Sequence, residues 1–254
     1  GAMDLRETAR RLAAAGLRDK VRGLRRRLEG PTQFESAYGP WRFGRDDAPT
    51  PRLSLVLPTL APAWAFGGVA TGLDVFLGLG ARLRAEGALD LRVITTNPEA
   101  MDDRSVLDRA AARAGLAPAS VTVEAGRIRG AEVAARAAEV FLPFNWHAAL
   151  NLSALRRAQA EAYGGGLRPL VQLIQEYEPA IYGFGADHAL ARTAFDLERL
   201  GEGPVIAVVN TGLLADWLAR QGHGFDRVFT LEPRLPAGMR PALARAGEAT
   251  RAKR

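Results

Sequence analysis

Four stretches hold the residues that could do chemistry. Three are polar and aromatic: Phe144-Asn145-Trp146-His147, Gln175-Glu176-Tyr177-Glu178-Pro179 continuing to Ile181-Tyr182-Gly183-Phe184-Gly185, and Asn210-Thr211-Gly212. The fourth, LSLVLPTLAPAWAFGGVATG over residues 53–72, ends in the adjacent glycines Gly67 and Gly68. Carboxylates accept hydroxyl hydrogens and aromatic rings cover apolar sugar faces, so Glu176, Glu178, Tyr177, Tyr182 and Trp146 together suit a polyhydroxylated ligand. Glycines at a helix start leave backbone amides bare, which suits an anionic group. Plainer roles stand beside these. Gly67 and Gly68 also allow a tight turn, Tyr177 and Tyr182 also suit loop packing, and Asn210 also suits the N-cap of a following helix. His147 reads as a satisfied helix residue, and Asp187 and His188 most simply begin a helix.

These residues gain meaning from the elements that carry them. Leu53–Leu57 is a nearly continuous apolar run, as expected of an inner strand of a parallel sheet, and Pro58 ends it for want of an amide hydrogen. Val69, Leu73, Phe76 and Leu77 then recur at helical spacing. The same alternation predicts strands near 53–57, 91–95, 120–124, 139–142, 169–174, 204–209 and 227–230. Helices are predicted near 67–86, 102–115, 130–137, 146–162, 186–198 and 211–221. The pattern implies an α/β class: a Rossmann-like, doubly wound parallel sheet. Right-handed crossovers then bring the loops after Leu57, Thr95, Glu124, Leu142, Ile174 and Val209 to one edge. Every candidate residue lies in or beside one of these loops.

Several functions of such a sheet are excluded by spacing. A dinucleotide site needs GxGxxG directly after the first strand and an acid about 20 residues on. Here nine residues separate Leu57 from Gly67, and the second strand ends Ile94-Thr95-Thr96-Asn97. No P-loop and no G-x-S-x-G elbow occurs. The histidines His147, His188 and His223 lack metal-ligand spacing.

The chain has 254 residues, no cysteine and a net charge of +6. Disulfide and thiolate chemistry are excluded, and a reducing, cytoplasmic setting is expected. No apolar run reaches the roughly 18 residues a spanning helix needs. Gly1-Ala2-Met3 resembles a protease scar. Residues 4–52 read as a basic arm and linker. The arm, 4–30, is amphipathic, with nine Arg/Lys against four Asp/Glu and apolar positions Leu5, Leu12, Leu17, Val21, Leu24 and Leu28. Peripheral contact with an anionic membrane is one reading of it, and a solvated helix is the plainer one. The stretch 31–52 reads as an irregular linker whose aromatics Phe34, Tyr38, Trp41 and Phe43 pack on the main domain. That domain spans 53–236, and 237–254 reads as a basic linker or tail. No nucleic-acid motif accompanies the charge.

Three stretches carry a resemblance: LSLVLPTLAPAWAFGGVATGLDVFLGLGARL, VQLIQEYEPAIYGFGADHALARTAF and VIAVVNTGLLADWL. They resemble the N-terminal, acceptor-side domain of GT-B glycosyltransferases of the retaining family-4 group. They are most similar to the bacterial rhamnosyltransferases that build surface polysaccharides. The resemblance implies that Gly67 and Gly68 approach the donor phosphates and the acceptor across the cleft. Gln175 and Glu176 fall where many relatives carry His-Asp, so a titratable histidine is replaced by an amide that can only orient. Asn210 matches the Asn or Ser before the last helix of the domain.

The resemblance also implies a nucleotide-sugar donor, with dTDP-L-rhamnose the family-based choice, and a glycan acceptor, possibly lipid-linked. It implies no further cofactor and no metal, and it names no catalytic residue. GT-B enzymes place most donor contacts in a second Rossmann-like unit. The stretch to Arg254 reads as the linker toward one, so this chain is expected to be inactive alone. A non-catalytic carbohydrate- or nucleotide-binding module, or an assembly-interaction module, is the alternative.

Overall fold

The computed structural model describes residues 39–63, 67–97, 103–124 and 130–232. The arm at 4–30, Phe34, Tyr38, Trp64, Phe66 and the tail at 237–254 lie outside them. Seven strands form one parallel sheet in the spatial order Val121–Glu124, Asp90–Thr95, Arg52–Leu57, Glu139–Pro143, Leu170–Ile174, Val205–Asn210, Arg227–Leu231. They are β2 (Arg52–Leu57), β3 (Asp90–Thr95), β4 (Val121–Glu124), β6 (Glu139–Pro143), β7 (Leu170–Ile174), β8 (Val205–Asn210) and β9 (Arg227–Leu231). The helices between them are α1 (Gly67–Glu86), α2 (Arg104–Arg113), α3 (Trp146–Tyr163), α4 (Ala186–Thr193) and α5 (Gly212–Arg220). The order reverses between β2 and β6, the place where open α/β sheets bind ligands.

Two segments depart from the sequence reading. The alanine-rich stretch near 130–137, expected to be helical, contains strand β5 (Glu132–Ala135). The stretch read as irregular linker contains β1 (Arg42–Arg45), and the two pair in parallel as a small second sheet. Pairing partners 90 residues apart override the helical preference of alanine. Trp41 is buried and Phe43 packs beside it, as expected of the linker aromatics. Helix α4 stops at Thr193, earlier than the predicted 198, and turns carry the chain onward.

Alternate residues of each strand serve different faces. Leu53, Leu55 and Leu57 of β2 face α1 and α2 together with Leu91, Val93, Leu142 and Leu173. Val56, Ile94, Phe141, Leu170, Ile174 and Val209 join the opposite core with Trp146, Leu152, Leu155 and Phe195. Close approach of α1 to the sheet needs small residues. A Cβ on Gly80 would come within 2.8 Å of Leu91, and one on Gly72 within 3.0 Å of Phe144. Strand β9 is the outer strand of the described sheet, and its Val228 and Phe229 are exposed.

Under the small sheet, charges replace apolar side chains. Glu139 is fully buried. Its carboxylate accepts from Arg52 Nη2 at 2.7 Å, Ser54 Oγ at 2.5 Å and the Arg136 backbone N–H at 3.0 Å. It also accepts from Arg92 Nη2, so two buried guanidinium groups share one buried carboxylate. Arg92 continues to Glu124 at 2.7 Å and to the Ala134 carbonyl at 3.0 Å. Arg52 and Arg136 both reach Asp46, at 2.9 and 3.0 Å. The network joins β2, β3, β4 and β6 to the β1–β5 sheet.

Removing the central carboxylate leaves two arginines buried without their counter-ion. Such losses cost about 3–5 kcal/mol. Glu139→Ala is therefore expected to lower unfolding free energy by about that amount in urea titration. A change under about 1 kcal/mol would mean that the arginines find other partners.

Candidate functional site

The parallel strands bring the carboxyl ends of β2, β6, β7 and β8 to one edge. Gly67 and Gly68 form the first turn of α1, the helix start expected from the sequence. Gly67 is exposed, and a Cβ there would meet nothing within 4 Å. Gly68 is tighter, with Gln175 Oε1 at 3.2 Å and Phe144 at 3.4 Å from an added Cβ. Gln175 Nε2 donates to the Gly68 carbonyl at 2.9 Å. That bond ties the segment after β7 to the helix after β2, across the β6 strand end that lies between them.

The β6 loop makes the second tie. Asn145 caps α3, its side-chain oxygen accepting from the Ala148 N–H at 2.9 Å. The next backbone N–H, of Trp146, donates to Glu178 Oε2 at 2.8 Å, and the Trp146 indole donates to Tyr182 Oη at 2.9 Å. The Trp146 and Tyr182 rings meet edge to face at 5.9 Å. Trp146 is wholly buried. It therefore braces Tyr182 and does not offer the sugar-covering face expected from the sequence.

Electrostatics around Glu178 are unusual. Burial pushes its carboxyl up to about 8, the Trp146 N–H works against this, and the nearby Glu176 charge adds to it. A large part of Glu178 is thus a neutral acid near pH 7, beside the exposed Glu176. Burial likewise raises the Tyr182 hydroxyl, helped by Glu178, Asp187 and Glu176. Burial drops His147 to about 4, so this imidazole is neutral and stacks on Trp146 with ring centroids 3.8 Å apart. It is a helix residue, as the sequence suggested.

Two expected residues are placed otherwise. Tyr177 turns inward, its ring against Trp217 at 4.6 Å and Phe195 at 5.2 Å. Its hydroxyl lies 3.3 Å from His223 Nε2, and Asp196 holds His223 Nδ1 at 3.1 Å. The Asp196–His223 pair anchors the segment after β7 from below. Sequence reading missed it because 27 residues separate its members. Asn210 ends β8 and does not cap α5. Thr211 is the cap, accepting from the Leu214 N–H at 3.4 Å. Asn210 Oδ1 is buried without a partner. The structure thus joins Gly68, Gln175, Asn145, Trp146, Glu178 and Tyr182 by contact, with Glu176 beside them. It directs Tyr177 inward and leaves Asn210 at the end of the next strand.

The family model described as WsaF, N-terminal domain, matches residues 52–212. The chain belongs to this family. The match starts at the first residue of β2 and ends at the first residue of α5, so it covers the sheet edge just described. Membership supports a GT-B N-terminal domain of a glycosyltransferase involved in polysaccharide biosynthesis. No curated protein matches the chain. Among the described residues no helix is long and apolar enough to cross a membrane.

The Glu178 environment makes stability depend on pH. The ordinary value is 4.5 and the folded value about 8, so the folded chain binds more protons between them. The associated stabilisation is complete below the lower value and is lost as pH rises through the upper one. Glu178→Gln keeps an acceptor for Trp146 and removes the titration. Urea midpoints should fall for the wild type between about pH 4.5 and about pH 8, and fall less for this variant. Parallel curves would place the titration elsewhere.

Proposed function

We propose that this chain is the acceptor-side domain of a retaining glycosyltransferase. The donor would be a nucleotide-activated deoxyhexose, dTDP-L-rhamnose, and the acceptor a growing, lipid-linked surface glycan. The Gln175–Gly68 hydrogen bond carries the reading. It brings a helix N-terminus and a carboxylate-bearing segment together at the reversal of strand order, where a sheet of this kind presents its ligand site. The α1 amides favour an anionic group such as a donor phosphate. Glu176, exposed and next to Gln175, accepts a hydroxyl of the acceptor sugar. Gln175 orients and does not exchange protons. Glu178, largely neutral near pH 7, offers an O–H beside the charged Glu176. In the GT-B reading donor positioning belongs to a second domain, so the residues described here supply acceptor binding and not turnover. The basic arm would add weak, salt-sensitive contact with anionic lipid.

Binding separates this reading from its alternatives. Acceptor oligosaccharides should bind the purified chain saturably, with no glycosyl transfer from dTDP-rhamnose. Glu176→Gln removes a charge-assisted acceptor of about 1.5–3 kcal/mol, about a tenfold to hundredfold loss in affinity. Gly68→Val should displace Gln175 and weaken binding more than it lowers the unfolding midpoint. A chain that binds nucleotide but no glycan would point to a nucleotide module. Efficient transfer by the chain alone would remove the need for a second domain.

A further inference from the structure

Phe184 is 99% exposed, the most open of the large apolar side chains among the described residues. Its loop is nonetheless held on both sides. Before it, the Tyr182 hydroxyl bonds Trp146, and the Tyr182 N–H bonds the Pro179 carbonyl. After it, His188 Nδ1 bonds the same carbonyl at 2.9 Å. Phe184 packs only obliquely on His188, with centroids 5.6 Å apart and planes 41° apart, so one ring face stays open. Gly183 crowds nothing, since a Cβ there would meet no atom within 4 Å.

Polar groups lie on the same loop and helix start as the ring, with His188 against it and Glu176 and Asp187 near the Tyr182 hydroxyl two residues before it. A carbonyl can only accept, so His188 Nδ1 donates to Pro179 and leaves Nε2 outside that bond. Glu176 and Asp187 are exposed, and both lie close enough to the Tyr182 hydroxyl to disfavour its ionisation, adding to burial. An open apolar ring face with an imidazole against it and two exposed carboxylates near the neighbouring Tyr182 hydroxyl matches a pyranose, which has an apolar C–H face and a rim of hydroxyl groups. The same carboxylates repel anionic headgroups and phosphodiesters. From this arrangement we infer that Phe184 is the stacking platform for a pyranose ring of the acceptor glycan. Glu176 and Asp187 take its hydroxyl hydrogens. The inference rests on the acceptor-side reading and names the contact that selects a sugar ring.

Rhamnan and mannan trisaccharides, titrated into the chain and followed by NMR, test it. Phe184→Ala should weaken binding about tenfold or more, and Phe184→Trp should restore it. Full exposure of Phe184 makes folding an easy control, read from the amide spectrum. If Glu176→Gln and Gly68→Val weaken binding while Phe184→Ala does not, the platform is overturned and the acceptor reading stands. If Phe184→Ala alone weakens it, the platform stands and the rim assignment falls. No binding of either trisaccharide by the wild type overturns both. Loss of co-sedimentation with phosphatidylglycerol vesicles in Phe184→Ala, at unchanged glycan affinity, overturns the platform in favour of membrane insertion.

Discussion

A single buried carboxylate governs how this domain is assembled. Glu139 sits at the start of β6, beside the point where strand order reverses, and receives Arg52 from one neighbour and Arg92 from the next strand out. Desolvating such groups is costly unless every charge is matched and every donor is used. The match therefore fixes the register of β2, β3 and β6 more tightly than interchangeable aliphatic residues would, since a slip of one residue would turn each charge to the wrong face. It also explains the small β1–β5 sheet, whose Ala134 carbonyl accepts from both Arg52 and Arg92.

Fixed register at one end of the sheet determines geometry at the other. Parallel strands that start in line end in line, so Pro58, Phe144 and Gln175 leave the sheet as neighbours. Two ties then secure the edge: Gln175 on Gly68 and Glu178 on the Trp146 amide. Both run between side chain and backbone, so they hold main-chain segments and leave Glu176 between them free to face outward. The result separates two acids by environment. One is half-buried and mostly neutral, the other exposed.

Much of this was legible in the sequence. Apolar strands of five or six residues alternating with helical periodicity announce a parallel sheet, and such a sheet puts strand-to-helix loops on one edge. Local propensity then failed where long-range pairing prevailed, as in Ala134 and Ala135, which look helical until Gly44 and Arg45 lie beside them. The charge network was invisible for the same reason. Arg52 and Glu139 are 87 residues apart, and nothing local marks either as buried. At the edge itself, residue type suggested proximity to a ligand but could not give side-chain direction. Trp146 and Tyr177 have the chemistry of sugar contacts, yet both point into the core, whereas Phe184, part of the same aromatic loop, points out. Asn210 lost the cap to Thr211 because the helix begins one residue later.

The outer strand β9 has a bearing on how the molecule behaves in solution. Its pairing with β8 uses one side of its backbone, and it displays Val228 and Phe229 at 48% and 54% exposure. Strands that end a sheet in this way are templates for a further strand. No proline and no lysine interrupts Arg227–Leu231, and within the strand its one charge is that of Arg227. Crowding of one domain against another would thus be resisted at this margin chiefly by electrostatic repulsion, which added salt weakens. Colloidal behaviour of the domain should depend on ionic strength through this strand.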